Sequence, residues 1–191
     1  MFRKFVVLMA LFCSFNGGLF AQEPAPAEPQ KETAPAAVPV TAPAPATESV
    51  WKTFFPDGIS DSEGKSVDLS VLDGKIVGLY FSAHWCPPCR AFSPKLVEFR
   101  NANSADFEVV FISSDKSESA QFEYMKEVKM EWPTMKHRSD AANALADKYG
   151  VQGIPTLIIL SPKGETLSTD GRSDVMSSPE KCIETWKSQI K

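Results

Sequence analysis

The chain has 191 residues, of which 43% are hydrophobic and 23% are charged, values close to the average for globular proteins. This composition excludes a fibrous protein and allows one domain with a hydrophobic core. The 20 Lys and Arg residues are outnumbered by 24 Asp and Glu residues, which gives a net charge of -4. Because nucleic-acid binding needs a basic surface, we expect no nucleic-acid partner.

The first residues have the pattern of a secretory signal peptide. Arg3 and Lys4 precede an apolar run of 11 residues, Phe5 to Phe15, and the small residue Ala21 follows a break in that pattern. A membrane-spanning helix needs about 20 apolar residues, so this run is too short for a permanent span. We therefore expect residues 1–21 to be removed after Ala21, leaving no stable membrane span.

Residues 22–48 are predicted to form a disordered linker. They contain 7 Pro and 8 Ala and no aromatic residue. Such a segment buries too little apolar surface to fold, and repeated proline keeps it extended. The linker would separate the following domain, residues 49–191, from a surface or a partner. The leader predicts an exported protein, with the periplasm as its compartment; secretion and retention by an uncleaved signal anchor are the alternatives.

The domain at 49–191 alternates predicted strands and helices. In chain order these are a strand at 76–81, a helix at about 87–102, a strand at 107–112, helices at about 117–129 and 140–149, strands at 156–160 and 165–167, and a helix near 179–190. The three longer strands are continuously apolar, which is typical of strands covered on both faces. The turn sequence Ser161-Pro162-Lys163-Gly164 predicts an antiparallel hairpin. The pattern therefore predicts an α/β fold with a mixed central sheet flanked by helices on both faces.

Two of the four cysteines form a close pair, within the sequence Trp85-Cys86-Pro87-Pro88-Cys89. This segment follows a predicted buried strand and opens a predicted helix. A two-residue spacing lets both sulfur atoms lie on one side of the first helical turn, close enough to bond. The positive end of the helix dipole favours a thiolate at Cys86, whereas Cys89 would lie deeper. The pattern indicates a reactive cysteine pair.

Two simpler interpretations of the pair stay open. A static disulfide is disfavoured because closing so short a loop stabilises a fold little. A metal site would need further ligands, and only His84, His137 and Cys182 remain, none at a paired spacing. We therefore expect no metal. We also expect His137, between Lys136 and Arg138, to lie in solvent, and Cys182 to be a buried inert thiol.

Residues 80–90, Tyr-Phe-Ser-Ala-His-Trp-Cys-Pro-Pro-Cys-Arg, resemble the first signature of the thioredoxin superfamily, most closely its tryparedoxin and nucleoredoxin branch. Gly153-Ile154-Pro155-Thr156, before a predicted strand, resembles the second signature. The resemblance covers roughly residues 66–169 and implies a thioredoxin-like three-layer fold. It also implies a cis peptide bond between Ile154 and Pro155, and pairing of the Ile154 backbone with an extended substrate peptide.

The resemblance implies a thiol-disulfide oxidoreductase in which Cys86 attacks a protein disulfide and Cys89 resolves the mixed disulfide. Trp85 would pack beside the sulfur, and Pro87 and Pro88 would shape the site. The redox-active disulfide would be the only cofactor. Expected partners are protein thiols and disulfides, with a membrane or thioredoxin-type electron donor. The alternatives are a non-catalytic peptide-binding module of the same fold and, less favoured, a metal carrier using the pair.

One position departs from the family pattern. Many thioredoxins have a buried acidic residue six positions before the first cysteine, and here that residue is Tyr80, as in the tryparedoxin-like branch. Proton transfer to or from Cys89 must then use water or another group. Glu98 and Asp115 are the two candidate side chains, and the sequence does not select between them.

Overall fold

Residues 49–191 are described by the computed structural model, and they form a mixed sheet with helices on both faces. The predicted signal peptide (1–21) and linker (22–48) lie outside the described residues and stay predictions. Within 49–191, every helix is too short or too polar to cross a membrane.

The described elements follow the predicted alternation of strands and helices. A 3₁₀ turn at Leu69–Leu72 separates the second and third strands. In chain order the elements are α1 (Trp51–Phe54), β1 (Ile59–Ser60), β2 (Ser66–Val67), β3 (Ile76–Ser82), α2 (Pro87–Ala102), β4 (Phe107–Ser113), α3 (Glu118–Val128), α4 (Asp140–Lys148), β5 (Thr156–Leu160), β6 (Thr166–Ser168), α5 (Gly171–Ser177) and α6 (Pro179–Lys187).

The central sheet has the strand order β4-β3-β5-β6. β3 is parallel to β4, as expected for a βαβ unit with α2 as its crossover helix. It is antiparallel to β5, and β5 and β6 form the predicted hairpin. All seven residues of β3 are buried, so this strand delivers the chain from the middle of the sheet to the start of α2.

Alternate residues of the long strands point to opposite faces of the sheet. On β3, Ile76 and Tyr80 belong to the core beneath α2, α3, α5 and α6. Val77 and Leu79 belong to the core beneath α1 and α4. The sheet is therefore a buried middle layer between two helical layers, which confirms the predicted α/β, thioredoxin-like three-layer arrangement.

The sequence patterns predict none of the elements α1, β1, β2 and α5. The first three have two to four residues each, fewer than a periodicity needs to be recognised. In α5 only Gly171 and Val175 are buried, so no apolar stripe marks it as a helix. Each predicted strand and helix is nevertheless present, with its ends within a few residues of the expected positions.

Gly171, the first residue of α5, lies directly against β5. A Cβ atom at this position would be 2.7 Å from two side-chain carbons of Ile159 and 3.0 Å from the carbonyl oxygen of Leu157. Because the oxygen belongs to the backbone of a buried strand, it has little freedom to move away. The close approach of α5 to the sheet therefore requires glycine.

Replacing Gly171 by Ala is expected to lower the free energy of unfolding by about 1–3 kcal/mol, the usual cost of overpacking a core. Gly153→Ala is the matched control, because a Cβ there meets nothing within 4 Å and its φ is outside the left-handed region. Urea unfolding followed by circular dichroism measures both variants. Equal free energies of unfolding for the two variants would contradict tight packing at Gly171.

Candidate active site

The cysteine pair lies at the start of α2, after the loop that follows β3. Cys86 is the N-cap residue of α2, and Pro87 and Pro88 are its first helical residues. Proline is tolerated there because N–H groups of the first turn have no partner within the helix. The first N–H group that α2 carries is therefore that of Cys89, and it donates to Cys86 Sγ at 3.3 Å. This donor, at the positive end of the helix dipole, favours a thiolate on Cys86.

The two sulfur atoms are joined in a disulfide, with the Cα atoms 5.2 Å apart. Cys86 is 4% exposed and Cys89 is fully buried, which is the order of accessibility expected from the sequence. Both cysteines pack with Ala83 against Ile154. A partner molecule therefore reaches the pair at Cys86.

The second predicted signature lies beside the disulfide. The peptide bond between Ile154 and Pro155 is cis, as the resemblance implies. The carbonyl oxygen of Ile154 is 3.7 Å from Cys86 Sγ. At this distance it can accept a hydrogen bond from the S–H group when Cys86 is a thiol. Pro155 is buried, whereas Ile154 is half-buried. The loop before β5 therefore places backbone atoms next to the sulfur that a partner would approach.

Three of the predicted site-shaping side chains form an exposed rim around the pair. Trp85 is 57% exposed, and its indole Nε1–H donates to the carbonyl oxygen of Ser114 at 3.2 Å. Pro87 and Pro88 are exposed at the start of α2. The indole is thus anchored at one end while its ring stays available to a partner, since Trp combines a large apolar surface with a polar end.

Four buried hydroxyl groups form a closed ring on the α2 side of β3. Tyr80 and Ser93 are joined at 2.7 Å, Ser93 and Tyr124 at 2.6 Å, Tyr124 and Ser82 at 3.4 Å, and Ser82 donates to Tyr80 at 3.0 Å. Each hydroxyl can donate once and accept once around such a ring. Burial, together with the neighbouring Tyr124, raises the pKa of Tyr80 well above its ordinary value. The position that is acidic in many thioredoxins is therefore neutral here.

Sequence reasoning does not find this ring. Its members come from β3, α2 and α3, and their separations along the chain follow no motif. Of its four members, the sequence points only to Tyr80, as a departure from the family pattern. The signal that was available is the presence of polar residues, Ser82 and Ser93, in otherwise apolar buried elements, since buried polar groups need partners.

Residues 83–86, between β3 and α2, form the cysteine loop. Within it, His84 connects this loop to α3 and to the segment that follows β4. Its ring stacks on Tyr124 with centroids 5.3 Å apart, and its Nε2 is 2.8 Å from a carboxylate oxygen of Glu127. Its backbone N–H donates to Oδ1 of Asp115 at 2.8 Å. His84 therefore lies in the loop beside the pair, held by both its side chain and its backbone.

The structure separates the two acidic candidates of the sequence. Asp115 is 1% exposed and is hydrogen-bonded to the loop that carries Cys86. Glu98 is exposed on α2 and faces a groove lined by Val175 and Met176 of α5. Of these two carboxylates, only Asp115 contacts the cysteine loop.

The remaining ligand candidates do not assemble around the pair. Within residues 49–191 no three His, Cys, Asp or Glu side chains come together as a metal-binding group. Cys182 is a buried free thiol on α6, and its Sγ–H donates to the carbonyl oxygen of Ser178. Burial, and to a lesser degree Asp174, raises the pKa of Cys182 to about 11. It is therefore protonated at neutral pH, consistent with the predicted inert thiol.

The prediction that His137 lies in solvent is wrong. Its side chain is half-buried, and its Nε2–H donates to the carbonyl oxygen of Asp115 at 2.8 Å. Sequence neighbours were misleading because Lys136 and Arg138 are exposed, whereas the residue between them turns inward toward the end of β4.

Comparison with known proteins gives a consistent family assignment. A family model described as thioredoxin-like matches residues 74–166. The chain is 42% identical to mouse nucleoredoxin over 127 residues, covering 64% of this chain and 28% of the relative. It is 39% identical to tryparedoxin from Trypanosoma brucei brucei over 129 residues, covering 65% and 88%. The solved structure of tryparedoxin II from C. fasciculata aligns with a TM-score of 0.64 and 35% identity, covering 70% and 90%.

The segment matched by the family model contains both the cysteine pair and the Ile154-Pro155 loop. The chain spans about a quarter of the length of the nucleoredoxin (28%) but most of the tryparedoxin (88%). Together with the three-layer fold, these matches show that the chain belongs to the thioredoxin-like family, in its tryparedoxin- and nucleoredoxin-like branch.

Proposed function

We propose that this protein is a thiol-disulfide oxidoreductase in which Cys86 is the nucleophile and Cys89 the resolving thiol. The observation that carries the proposal is the placement of Cys86 Sγ at the start of α2, where it accepts the N–H of Cys89. The tryparedoxin and nucleoredoxin relatives support the same chemistry. Pairs of this kind exchange disulfides through the thiolate of the exposed cysteine.

In the first step the Cys86 thiolate attacks one sulfur of a substrate disulfide. A bond forms between Cys86 Sγ and that sulfur, the substrate S–S bond breaks, and the other substrate sulfur leaves as a thiolate that takes up a proton. The helix N-terminus stabilises the attacking thiolate. The Ile154 carbonyl, 3.7 Å from Cys86 Sγ, and the exposed Trp85 ring flank the path of the substrate.

In the second step Cys89, after losing its proton, attacks Cys86 Sγ. The intramolecular disulfide forms, the mixed disulfide breaks, and the substrate leaves as a thiol, having gained two electrons in total. Because Cys89 is buried and bonded to Cys86 in the oxidised form, it needs no large movement to resolve the intermediate. The same steps in reverse would oxidise a dithiol, so the electron donor sets the direction.

The substrates we propose are protein disulfides and thiols. A solved tryparedoxin II is complexed with glutathionylspermidine, so small glutathione-type thiols are a second class to test. As electron donor we propose a membrane or thioredoxin-type protein. The disulfide itself serves as the only redox cofactor in this proposal.

We also propose export to the periplasm, on the strength of residues 1–21 and of the Pro/Ala-rich segment 22–48. A disulfide-forming pair is compatible with an oxidising compartment, where a dedicated donor is needed to keep such a pair reduced.

Removing the resolving thiol is expected to trap the reaction at the mixed disulfide. Cys89→Ala, reduced and then exposed to oxidised glutathione, should accumulate one glutathione per chain on Cys86, because the second step is blocked. Intact-mass spectrometry measures the adduct. Cys86→Ala should form no adduct at Cys89, which is fully buried, and its disulfide reductase rate should fall to background.

Cys182→Ala is the matched control, because it removes a buried thiol that lies on α6, away from the pair. It should keep the wild-type rate of insulin disulfide reduction. If instead the wild-type protein reduces insulin no faster than Cys86→Ala does, the pair is not a reacting group and the non-catalytic peptide-binding alternative is favoured.

Export of the chain is tested by expression of residues 1–191 in a Gram-negative host. The periplasmic fraction is expected to contain a chain that starts near Gln22, as measured by intact mass. Leu8→Arg, which interrupts the apolar run, should abolish export, whereas Ala37→Arg, which adds the same charge in the linker, should not. Full-length protein in the membrane fraction would favour an anchor, and full-length cytoplasmic protein would contradict export.

A further inference from the structure

Asp115 is a fully buried carboxylate that holds the loop carrying the cysteine pair. It lies two residues after the end of β4 and is 1% exposed. Its Oδ1 accepts the backbone N–H of His84 at 2.8 Å, and its Oδ2 accepts the hydroxyl of Ser113 at 2.8 Å. The next residue back, Ser114, accepts the Trp85 indole N–H and donates its own N–H to the Ser82 carbonyl oxygen.

The segment Ser113–Asp115 therefore forms hydrogen bonds with the chain both before and after residue 83. Cys86 lies only two residues beyond His84, so these contacts restrain the backbone that leads to it. Of these contacts, the one from Asp115 involves a charged acceptor, and charge-assisted hydrogen bonds are the stronger ones. Loss of this contact would release the backbone immediately before the nucleophile.

No basic side chain within residues 49–191 forms an ion pair with the Asp115 carboxylate. Its two partners are neutral donors, so its negative charge is not cancelled locally. Buried charges that lack a counter-ion act over longer distances than exposed ones, because solvent does not screen them. The hydrogen bond from the His84 N–H links the cysteine loop directly to this carboxylate.

The other ionisable groups around Asp115 come from each neighbouring segment. His84 lies in the cysteine loop, and Glu127 on α3 binds its ring. His137, before α4, donates to the Asp115 carbonyl oxygen. Lys116 follows Asp115 in the chain and is exposed. Both histidines are present in the oxidised and in the reduced protein, so a comparison of the two forms separates their effects from that of Cys86.

We propose that Asp115 is a positioning residue for the cysteine pair: its carboxylate fixes the loop before Cys86, and its negative charge opposes thiolate formation on Cys86. The α2 N-terminus and Asp115 then act in opposite directions on the same sulfur.

The two effects are separated by two substitutions. Asp115→Asn keeps the acceptor for the His84 N–H and can donate to Ser113 Oγ, so it removes the charge while keeping the contacts. Asp115→Ala removes both. Asp61→Asn is the matched control, since Asp61 also accepts backbone N–H groups, in the exposed turn between β1 and β2.

Asp115→Asn is expected to lower the pH midpoint of iodoacetamide alkylation of Cys86 by about one unit, the scale of a nearby like charge. At a pH well above the wild-type midpoint, the equilibrium with glutathione should shift about tenfold toward the reduced pair, about 30 mV, because a stabilised thiolate favours the reduced form. Asp115→Ala should in addition slow the attack on oxidised glutathione. Asp61→Asn should match the wild-type protein. An unchanged midpoint in a folded Asp115→Asn variant would overturn the proposal.

A measurement on the wild-type protein covers the case in which Asp115→Asn does not fold. In the reduced protein, the ¹³Cγ resonance of Asp115 should show an inflection at the Cys86 alkylation midpoint. The oxidised protein, in which Cys86 has no ionisable thiol, should lack it. Absence of the inflection in the reduced protein would equally overturn the proposal.

The inference rests on the proposed redox role of the pair. Alkylation and NMR nevertheless report the ionisation of Cys86 without substrate turnover. A failed trapping experiment combined with the expected alkylation shift would therefore reject the oxidoreductase and leave the coupling to Asp115 intact.

Discussion

The site depends on one contact, the hydrogen bond from the Cys89 N–H to Cys86 Sγ at the first turn of α2. Pro87 and Pro88 carry no N–H group, so Cys89 supplies the first backbone donor of the helix. The contact exists only because α2 begins at Cys86, directly after the loop that leaves β3. The Cys86 sulfur therefore lies next to both the Cys89 donor and the positive end of the helix dipole. This placement favours a thiolate at Cys86.

The surrounding layers keep this helix start in place. On one side the hydroxyl ring joins β3, α2 and α3 through Ser93 and Tyr124, and it is neutral. On the other side Asp115 holds the loop by accepting a hydrogen bond from the His84 backbone N–H. In our proposal Cys86 thus lies between a helix terminus that stabilises its thiolate and a carboxylate that opposes it, and the balance of the two sets how much of Cys86 is thiolate.

Much of this arrangement was predictable from the sequence, because it rests on local patterns. Continuously apolar strands, the Cys86–Cys89 spacing and the Ile154-Pro155 motif locate the sheet, the pair and the neighbouring loop. The missed parts are those in which partners are far apart in the chain. Ser82 meets Tyr124 across 42 positions and His84 meets Asp115 across 31, and no periodicity encodes such contacts. Helix α5 was missed because packing of Gly171 on β5, rather than an apolar stripe, fixes it.

The central claim is that the two sulfur atoms exchange reversibly between dithiol and disulfide. Equilibration of the wild-type protein in a series of glutathione redox buffers, followed by alkylation and intact mass, tests it most directly. The account predicts a single two-electron transition that is the same whether it is approached from the reduced or the oxidised protein. A pair that stays in one form across the whole series would contradict it and would indicate a structural disulfide or an unreactive dithiol.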